Sequence, residues 1–361
     1  MKKTKIFIFC PSLGVGGMER VLSTLSYSFA NHYDEVTYIL WYDKAVFYEI
    51  DKRIKIISAE KECGSGSFWR KMIWLSRYVK SQKPDVLISF SAPFNMIALA
   101  SLMGRSGIKM VVAERNDPAH FRWGVLRYLR NWLYCFSEGI IAQTDTCKTH
   151  LCKKLAMKCV VIPNPILMDD AYKGAALSTV KERQIVSVAR FVPQKRLDIL
   201  IRSFASFERT HPGFHLYIYG DGKDKASLLL LISELQLVNK VLICPVVNDI
   251  FDRIKKAEMF VMTSAYEGMS NALMEAMCLG LPCISTRVSG AVEMINDGYN
   301  GVLVDIEDHD GIVKAMCDMA DNPAQQLLLG ENAMRIYDTY HVSSVARQWL
   351  DYIDSFTCNA R

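Results

Sequence analysis

The stretch Val261-Met-Thr-Ser-Ala-Tyr-Glu-Gly-Met-Ser-Asn-Ala-Leu-Met-Glu275 passes from an apolar run through a tight turn into a short helix. Residues 261–265 read as the end of a strand and Glu-Gly-Met-Ser as the turn. A helix over 271–279 follows, with Ser270 as its N-cap and Gly280 and Pro282 as its stop. Glu267 therefore falls in the loop at the helix N-terminus, and Glu275 lies about a turn further along. The unpaired N–H groups of a helix start, together with Gly268, favour an anion. Two carboxylates beside such a site would repel it unless they bind something uncharged, and sugar hydroxyls fit. Compensating positive charge has to come from elsewhere, and Ala189-Arg190-Phe-Val-Pro-Gln-Lys195 offers it.

The same alternation of short apolar runs and amphipathic stretches continues in both directions, which predicts an α/β architecture with parallel sheets. Strands are expected near 5–10, 36–41, 54–57, 86–90, 110–113, 139–142 and 159–162. A second set is expected near 184–188, 214–219, 241–244, 259–262, 282–285 and 302–304. At 361 residues the chain suits two domains, each able to bury its own core. The seam falls at Ile162-Pro-Asn-Pro-Ile166, where proline interrupts regular structure. One domain is thus expected over 1–164 and the other over 165–343, followed by a terminal helix within 344–361.

Eleven cysteines are scattered without a CxxC or a Cys/His cluster, which argues against zinc and disulfides and for a reducing, cytoplasmic setting. The first apolar run is too short for a signal peptide. Residues 1–165 hold 24 lysines and arginines against 13 acids, whereas residues 166–361 hold 19 against 25. A basic first half suits an anionic surface or acceptor, although uneven solvated charge alone would look the same. The uncharged segment 86–104 approaches bilayer-spanning length, but Pro93 and Asn95 sit inside it, and a strand, a turn and a buried helix explain it better.

Gly14-Val-Gly-Gly17 follows the first strand and opens an apolar-periodic helix, so Gly16 and Gly17 are candidates for close approach to a ligand. A dinucleotide fingerprint needs glycine where Glu19 stands, which disfavours a dehydrogenase. Arg190 and Lys195 sit after the strand 185–189, at the end where open α/β sheets place ligands, and both suit phosphate. A basic pair in a turn is, by itself, more often a solvated surface. Asp308-His-Asp310 looks like a metal-binding Asp-x-Asp but opens a helix, where acidic caps are routine. The seven histidines show no dyad spacing. The stretches 121–136 and 68–80 are basic, aromatic and helical in period. The first carries Leu126, Leu129, Leu133 and Phe136 in one stripe, with Arg122, Arg127 and Arg130 partly outside it. The second carries Arg70, Lys71, Arg77 and Lys80. Such helices suit an anionic membrane interface, though an apolar stripe is more often core. No nucleic-acid motif accompanies the charge.

The basic Arg190/Lys195 turn followed by the Glu267/Glu275 helix resembles glycosyltransferase family 4, retaining enzymes in which two Rossmann-like domains face each other across a cleft (GT-B). The likeness spans nearly the whole chain, and it implies that the terminal helix within 344–361 returns to pack on the first domain. It takes in Gly14-Val-Gly-Gly-Met-Glu-Arg20, Ile162-Pro-Asn-Pro165, Tyr219-Gly-Asp-Gly222, Gly280-Leu-Pro-Cys-Ile-Ser285, Ser289-Gly-Ala-Val-Glu293 and Asn300-Gly301.

The resemblance implies a nucleotide-sugar donor, most simply a UDP-hexose or UDP-N-acetylhexosamine, on the second domain. It implies a glycan or polyprenyl-diphosphate-linked acceptor on the first, in bacterial surface polysaccharide assembly. Arg190 and Lys195 would then stabilise the diphosphate leaving group without metal or other cofactor. Glu267 would face the donor sugar and Glu275 hold ribose hydroxyls. Gly268, Met269, Ser270 and Asn271 would touch phosphate or sugar, with Gly16, Gly17 and Glu293 contributing. Val247 would lie against the base, although Pro245 replaces the usual glycine and removes a backbone donor. Where many relatives carry a histidine facing donor or acceptor, this chain has Arg115 and Asn116, for which loop capping is the competing role. Two other readings stay open at this point: a non-hydrolysing UDP-sugar epimerase, and an inactive nucleotide-sugar-binding protein.

Overall fold

Each apolar run forms a strand where its composition favours one, and helices of 3.6-residue period fill the intervals. The computed structural model describes residues 4–103, 107–120 and 124–357. Among them the strands are β1 (Lys5–Cys10), β2 (Glu35–Leu40), β3 (Lys55–Ser58), β4 (Val86–Phe90), β5 (Lys109–Ala113), β6 (Gly139–Ala142) and β7 (Cys159–Val161). The second half adds β8 (Glu182–Val188), β9 (His215–Tyr219), β10 (Val241–Cys244), β11 (Ala257–Met262), β12 (Cys283–Thr286) and β13 (Val302–Val304). They form two sheets, β3-β2-β1-β4-β5-β6-β7 and β10-β9-β8-β11-β12-β13. Every pairing is parallel.

Both sheets share one consequence of this order. The chain winds outward from β1 in one direction, then restarts at β4 in the other, and β8 and β11 repeat the pattern. Connections on either side of such a point diverge, which leaves a crevice at the strands' carboxyl ends. The loops after β1 and β4 flank it in the first unit, and those after β8 and β11 flank it in the second.

The chain separates into two compact units, the first running to Leu167 and resuming at Tyr340, the second spanning Met168–Thr339. The two crossings are zipped together. Ile166 N–H donates to Tyr340 O at 2.8 Å, and Val342 N–H donates back to Ile166 O at 3.0 Å.

In the first unit one face of the sheet packs Ile6, Ile8, Ile88 and Phe90 against the helices Gly17–His32 and Val342–Thr357. Trp349 of the last helix is fully buried and stacks on Phe90 at 5.6 Å. The other face packs Phe7, Phe9 and Leu87 against Leu75, Leu99 and Leu133 of the helices Phe68–Gln82, Ala92–Leu102 and Gly124–Tyr134. The uncharged segment thus divides into β4 and a buried helix, with Gly104 outside the described residues. Among those residues no helix is long and apolar enough to cross a membrane. The core of the second unit gathers Ile185, Leu200, Phe204, Phe207, Val261 and Met316 around β8.

Candidate functional site

In the second unit the loops after β8 and β11 are laced together at the topological switch. Gln194 donates through Nε2 to Tyr266 O at 2.7 Å, and its own carbonyl accepts from Ala265 N–H at 2.8 Å. Thr263 Oγ1 lies 3.0 Å from the carbonyl oxygens of both Lys195 and Arg196. These bonds carry Lys195 onto Glu267, where ammonium and carboxylate form an ion pair. Ser264 Oγ donates to the same oxygen, Glu267 Oε1, at 3.0 Å. Both of these partners sit on Oε1, and among the described residues none sits on Oε2. Arg190, at the mouth of the β8 loop, is exposed, and among the described residues its guanidinium has no hydrogen bond or ion pair.

The helix after this turn is Asn271–Cys278, and Ser270 Oγ caps it by accepting from Leu273 N–H at 3.4 Å. Its end is a Schellman motif: Leu281 N–H reaches Ala276 O, Gly280 N–H reaches Met277 O, and Gly280 takes φ 80°. Glu275 is buried one turn in. A second helix, Ser289–Met294, carries Glu293 and packs its first turn against the same loop. Its approach requires glycine at 290, because a Cβ there would stand 2.2 Å from Gly268 O and 2.7 Å from Met269 Cα. Gly222 likewise lies against the β8 loop, where a Cβ would meet Phe191 O at 2.4 Å. Val247 is half-buried in the loop after β10, at the edge of the sheet. The structure therefore gathers Lys195, Glu267, Gly268, Met269, Ser270, Asn271 and Gly290 tightly, with Arg190 on the adjoining loop and Val247 two strands away.

In the first unit, Gly16 precedes the helix Gly17–His32, and the Glu19 carboxylate lies over it: a Cβ on Gly16 would meet Glu19 Oε2 at 2.3 Å. The helix start therefore already faces an anion of its own chain. Arg115, just after β5, donates through Nη2 to Asn164 Oδ1, which also accepts from Gln143 Nε2 at 2.6 Å. Its guanidinium lies 5.5 Å from the Phe90 ring, and burial lowers its pKa to about 10. Asn116 is exposed.

Asp117 caps the short turn after it by accepting from Ala119 N–H, and it also bonds His150 at 2.7 Å. That His–Asp pair is one the sequence does not signal, because its two residues are 33 positions apart and no local spacing marks them. The basic helices need correction. Arg130 is buried, donating to Pro118 O and lying over the Tyr134 ring. Lys71 is buried against Trp41 and Tyr42 and paired with Glu60. Leu129 and Phe136 of the expected core stripe are exposed, while Arg122 and its neighbours 121 and 123 lie outside the described residues. Asp308 caps its helix through Gly311 N–H. Among the described residues no group of three or more His, Cys, Asp or Glu is placed to hold a metal ion.

Two family models match consecutive halves of the chain: Glycosyltransferase Family 4 over residues 15–169 and Glycosyl transferases group 1 over residues 169–335. The chain belongs to glycosyltransferase family 4. Among relatives of this glycosyltransferase is a Campylobacter jejuni enzyme, N-acetylgalactosamine-N,N'-diacetylbacillosaminyl-diphospho-undecaprenol 4-alpha-N-acetylgalactosaminyltransferase. It is 28% identical, over 98% of this chain and all of the relative. The amylovoran biosynthesis glycosyltransferase of Erwinia amylovora is 24% identical over 94% of this chain and 96% of its own. Among solved structures, Anabaena HepE with UDP and glucose superposes with a TM-score of 0.81 at 17% identity, covering 98% of this chain and all of that one. Staphylococcus aureus TarM with UDP, alpha-GlcNAc-glycerol and fondaparinux superposes with a TM-score of 0.80 at 14% identity, covering 97% and 99%. The fold is that of the GT-B glycosyltransferases, and the protein is an enzyme that transfers hexosyl groups.

Proposed function

We propose that this glycosyltransferase moves a hexose or N-acetylhexosamine from a UDP-sugar to a glycan or polyprenyl-diphosphate-linked acceptor, with retention of anomeric configuration and without metal. The observation that carries the reading is the Lys195–Glu267 ion pair beside the unpaired Arg190 cation at the switch point of the second unit. A diphosphate there meets Arg190 as a fork and Lys195 as a point charge, both able to stabilise the negative charge of a departing nucleotide. Glu267, neutralised by Lys195, presents Oε2 to a sugar hydroxyl, and Glu275 serves the ribose. The capped helix start with Gly268, Met269, Ser270 and Asn271 faces phosphate or sugar. Glu293 completes the donor's surroundings on the second unit and Val247 lies towards the base; on the first unit Gly16 and Gly17 are donor contacts, and Arg115 and Asn116 belong to the acceptor side.

The Campylobacter jejuni relative is named for a diphospho-undecaprenol acceptor, and the Anabaena neighbour holds UDP, which supports both substrate classes. The first unit adds a surface suited to a lipid acceptor. On the two helices that flank Ala92–Leu102, Trp69 is 71%, Val125 83% and Tyr128 70% exposed, with Arg70, Arg77, Lys80 and Arg127 exposed on the same helices. That combination fits peripheral contact with an anionic membrane on its cytoplasmic side.

The test is nucleoside diphosphate release from a panel of nucleotide sugars, with chelator present, with and without a membrane-lipid extract. Release that requires the extract supports the reading and names the donor. Isomerisation of the sugar without acceptor, or saturable donor binding without release, overturns it.

A further inference from the structure

Arg115 is a cation held without an anion. Its Nη2 is bonded to Asn164 Oδ1, but Nε and Nη1 are buried with no protein partner. Among the described residues no carboxylate pairs with it. Buried guanidinium donors left unpaired are costly, and native structures seldom leave them so unless a ligand or solvent completes them. The surroundings also hold the group still. Phe90 lies beneath the guanidinium, and Glu114, next in the chain, is fixed by a 2.5 Å bond from Tyr134 OH. Tyr134 is in turn bonded by Asn95 at 2.9 Å, and Asp117 is held by His150. Asn164 Oδ1 already accepts from two donors, so it cannot rotate away to relieve the charge.

Place and chemistry agree. Arg115 sits at the carboxyl end of β5, Gln143 after β6 and Asn164 after β7, along the edge where a parallel sheet receives ligands. A planar fork with two free N–H groups matches the oxygens of a phosphate. The donor diphosphate already has Arg190 and Lys195 in the other unit. We propose that Arg115 binds a phosphate group of the acceptor, so that it selects a diphosphate-linked acceptor over a neutral glycan. This rests on the functional reading above, since it presumes a transferase that uses an acceptor of that class.

The experiment uses the full chain saturated with UDP, so that the donor's cations are occupied, and titrates inorganic pyrophosphate calorimetrically. Wild type should bind it, Arg115→Gln should bind at least tenfold more weakly, and Arg115→Lys should fall between them, with UDP affinity unchanged in all three. Equal pyrophosphate affinity in R115Q, absence of binding in wild type, or a matching loss of UDP affinity would each overturn the assignment. Should R115Q fail to fold, R115K carries the comparison. Steady-state kinetics separate this inference from the functional reading. A diphosphate-linked acceptor whose KM rises tenfold in R115Q, while that of a neutral alkyl glycoside stays put, supports it. Turnover with an unchanged KM sinks the inference and leaves the transferase standing. Pyrophosphate binding without turnover on any acceptor overturns the functional reading, and acceptor selection by Arg115 falls with it.

Discussion

The Lys195 ammonium and the Glu267 carboxylate meet across 72 residues of sequence, brought together because their loops leave adjacent strands at a switch point. The Lys195 side chain is 14% exposed and that of Glu267 10%, so the pair is largely shielded from water. Removing either partner leaves a partly buried charge unpaired, which costs more than a surface ion pair would. Glu267→Ala and Lys195→Ala should each lower kcat by about 10²–10³. Because both changes break one unit, the double variant should be little worse than the poorer single variant. Undiminished transfer by E267A removes Glu267 from the site.

Gly290 is under a different constraint. Its backbone is not in the left-handed region, so alanine meets only a steric obstacle, the Gly268 carbonyl at 2.2 Å. That obstacle is backbone of the turn that carries Glu267, and it moves only if the turn moves. Gly290→Ala should raise the KM for donor at least tenfold and cost about 1–3 kcal/mol of stability. A donor titration and a thermal melt check both, and unchanged donor affinity would detach the helix Ser289–Met294 from the donor site.

Much of this could be read from the chain. The thirteen strands appear where apolar runs between turn residues place them, because parallel strands buried on both faces leave continuous Val/Ile/Leu/Phe signatures. Ser270 and Gly280 behave as cap and stop, since each has a backbone reason to stand there. What stayed hidden was decided by distant partners. Lys71 and Arg130 look like solvated cations on amphipathic helices. Lys71 is buried because Glu60, Trp41 and Tyr42 surround it, and Arg130 because the loop at Pro118 supplies a carbonyl. His150 meets Asp117 for the same non-local reason. The Glu19 carboxylate over Gly16 was legible in part: acids in a first turn are common, and one there competes with any anion for the helix start.

Lys181 gives the second unit a pH signature. Its ammonium is desolvated by burial and donates to Ala257 O at 3.0 Å and Lys255 O at 3.4 Å, and burial lowers its pKa to about 8. The unfolded chain keeps this proton up to the ordinary lysine value near 10.5. Between those limits the unfolded state binds more protons, so this group's contribution to stability rises with pH across about 8 to 10.5. Lys181→Met deletes the term. The melting temperature of wild type minus that of K181M should therefore increase from pH 7.5 to pH 10. Parallel curves across that range would mean that Lys181 is solvated.

The exposed apolar residues of the first unit make the membrane reading testable apart from catalysis. Trp69 lies on the helix Phe68–Gln82, and Val125 and Tyr128 on the helix Gly124–Tyr134, both packed beside the helix Ala92–Leu102 on one face of the sheet. Their side chains contribute little to the core, so replacing them with aspartate should change stability by less than about 0.5 kcal/mol. At an anionic bilayer the same replacement removes apolar insertion and adds repulsion. Wild type should cosediment with vesicles containing phosphatidylglycerol and lose that binding at high salt, because attraction between exposed charges is screened. Tyr128→Asp and Trp69→Asp should each weaken cosedimentation at least fivefold and leave UDP affinity unchanged. If both variants bind the vesicles as wild type does, the apolar face is not the membrane contact.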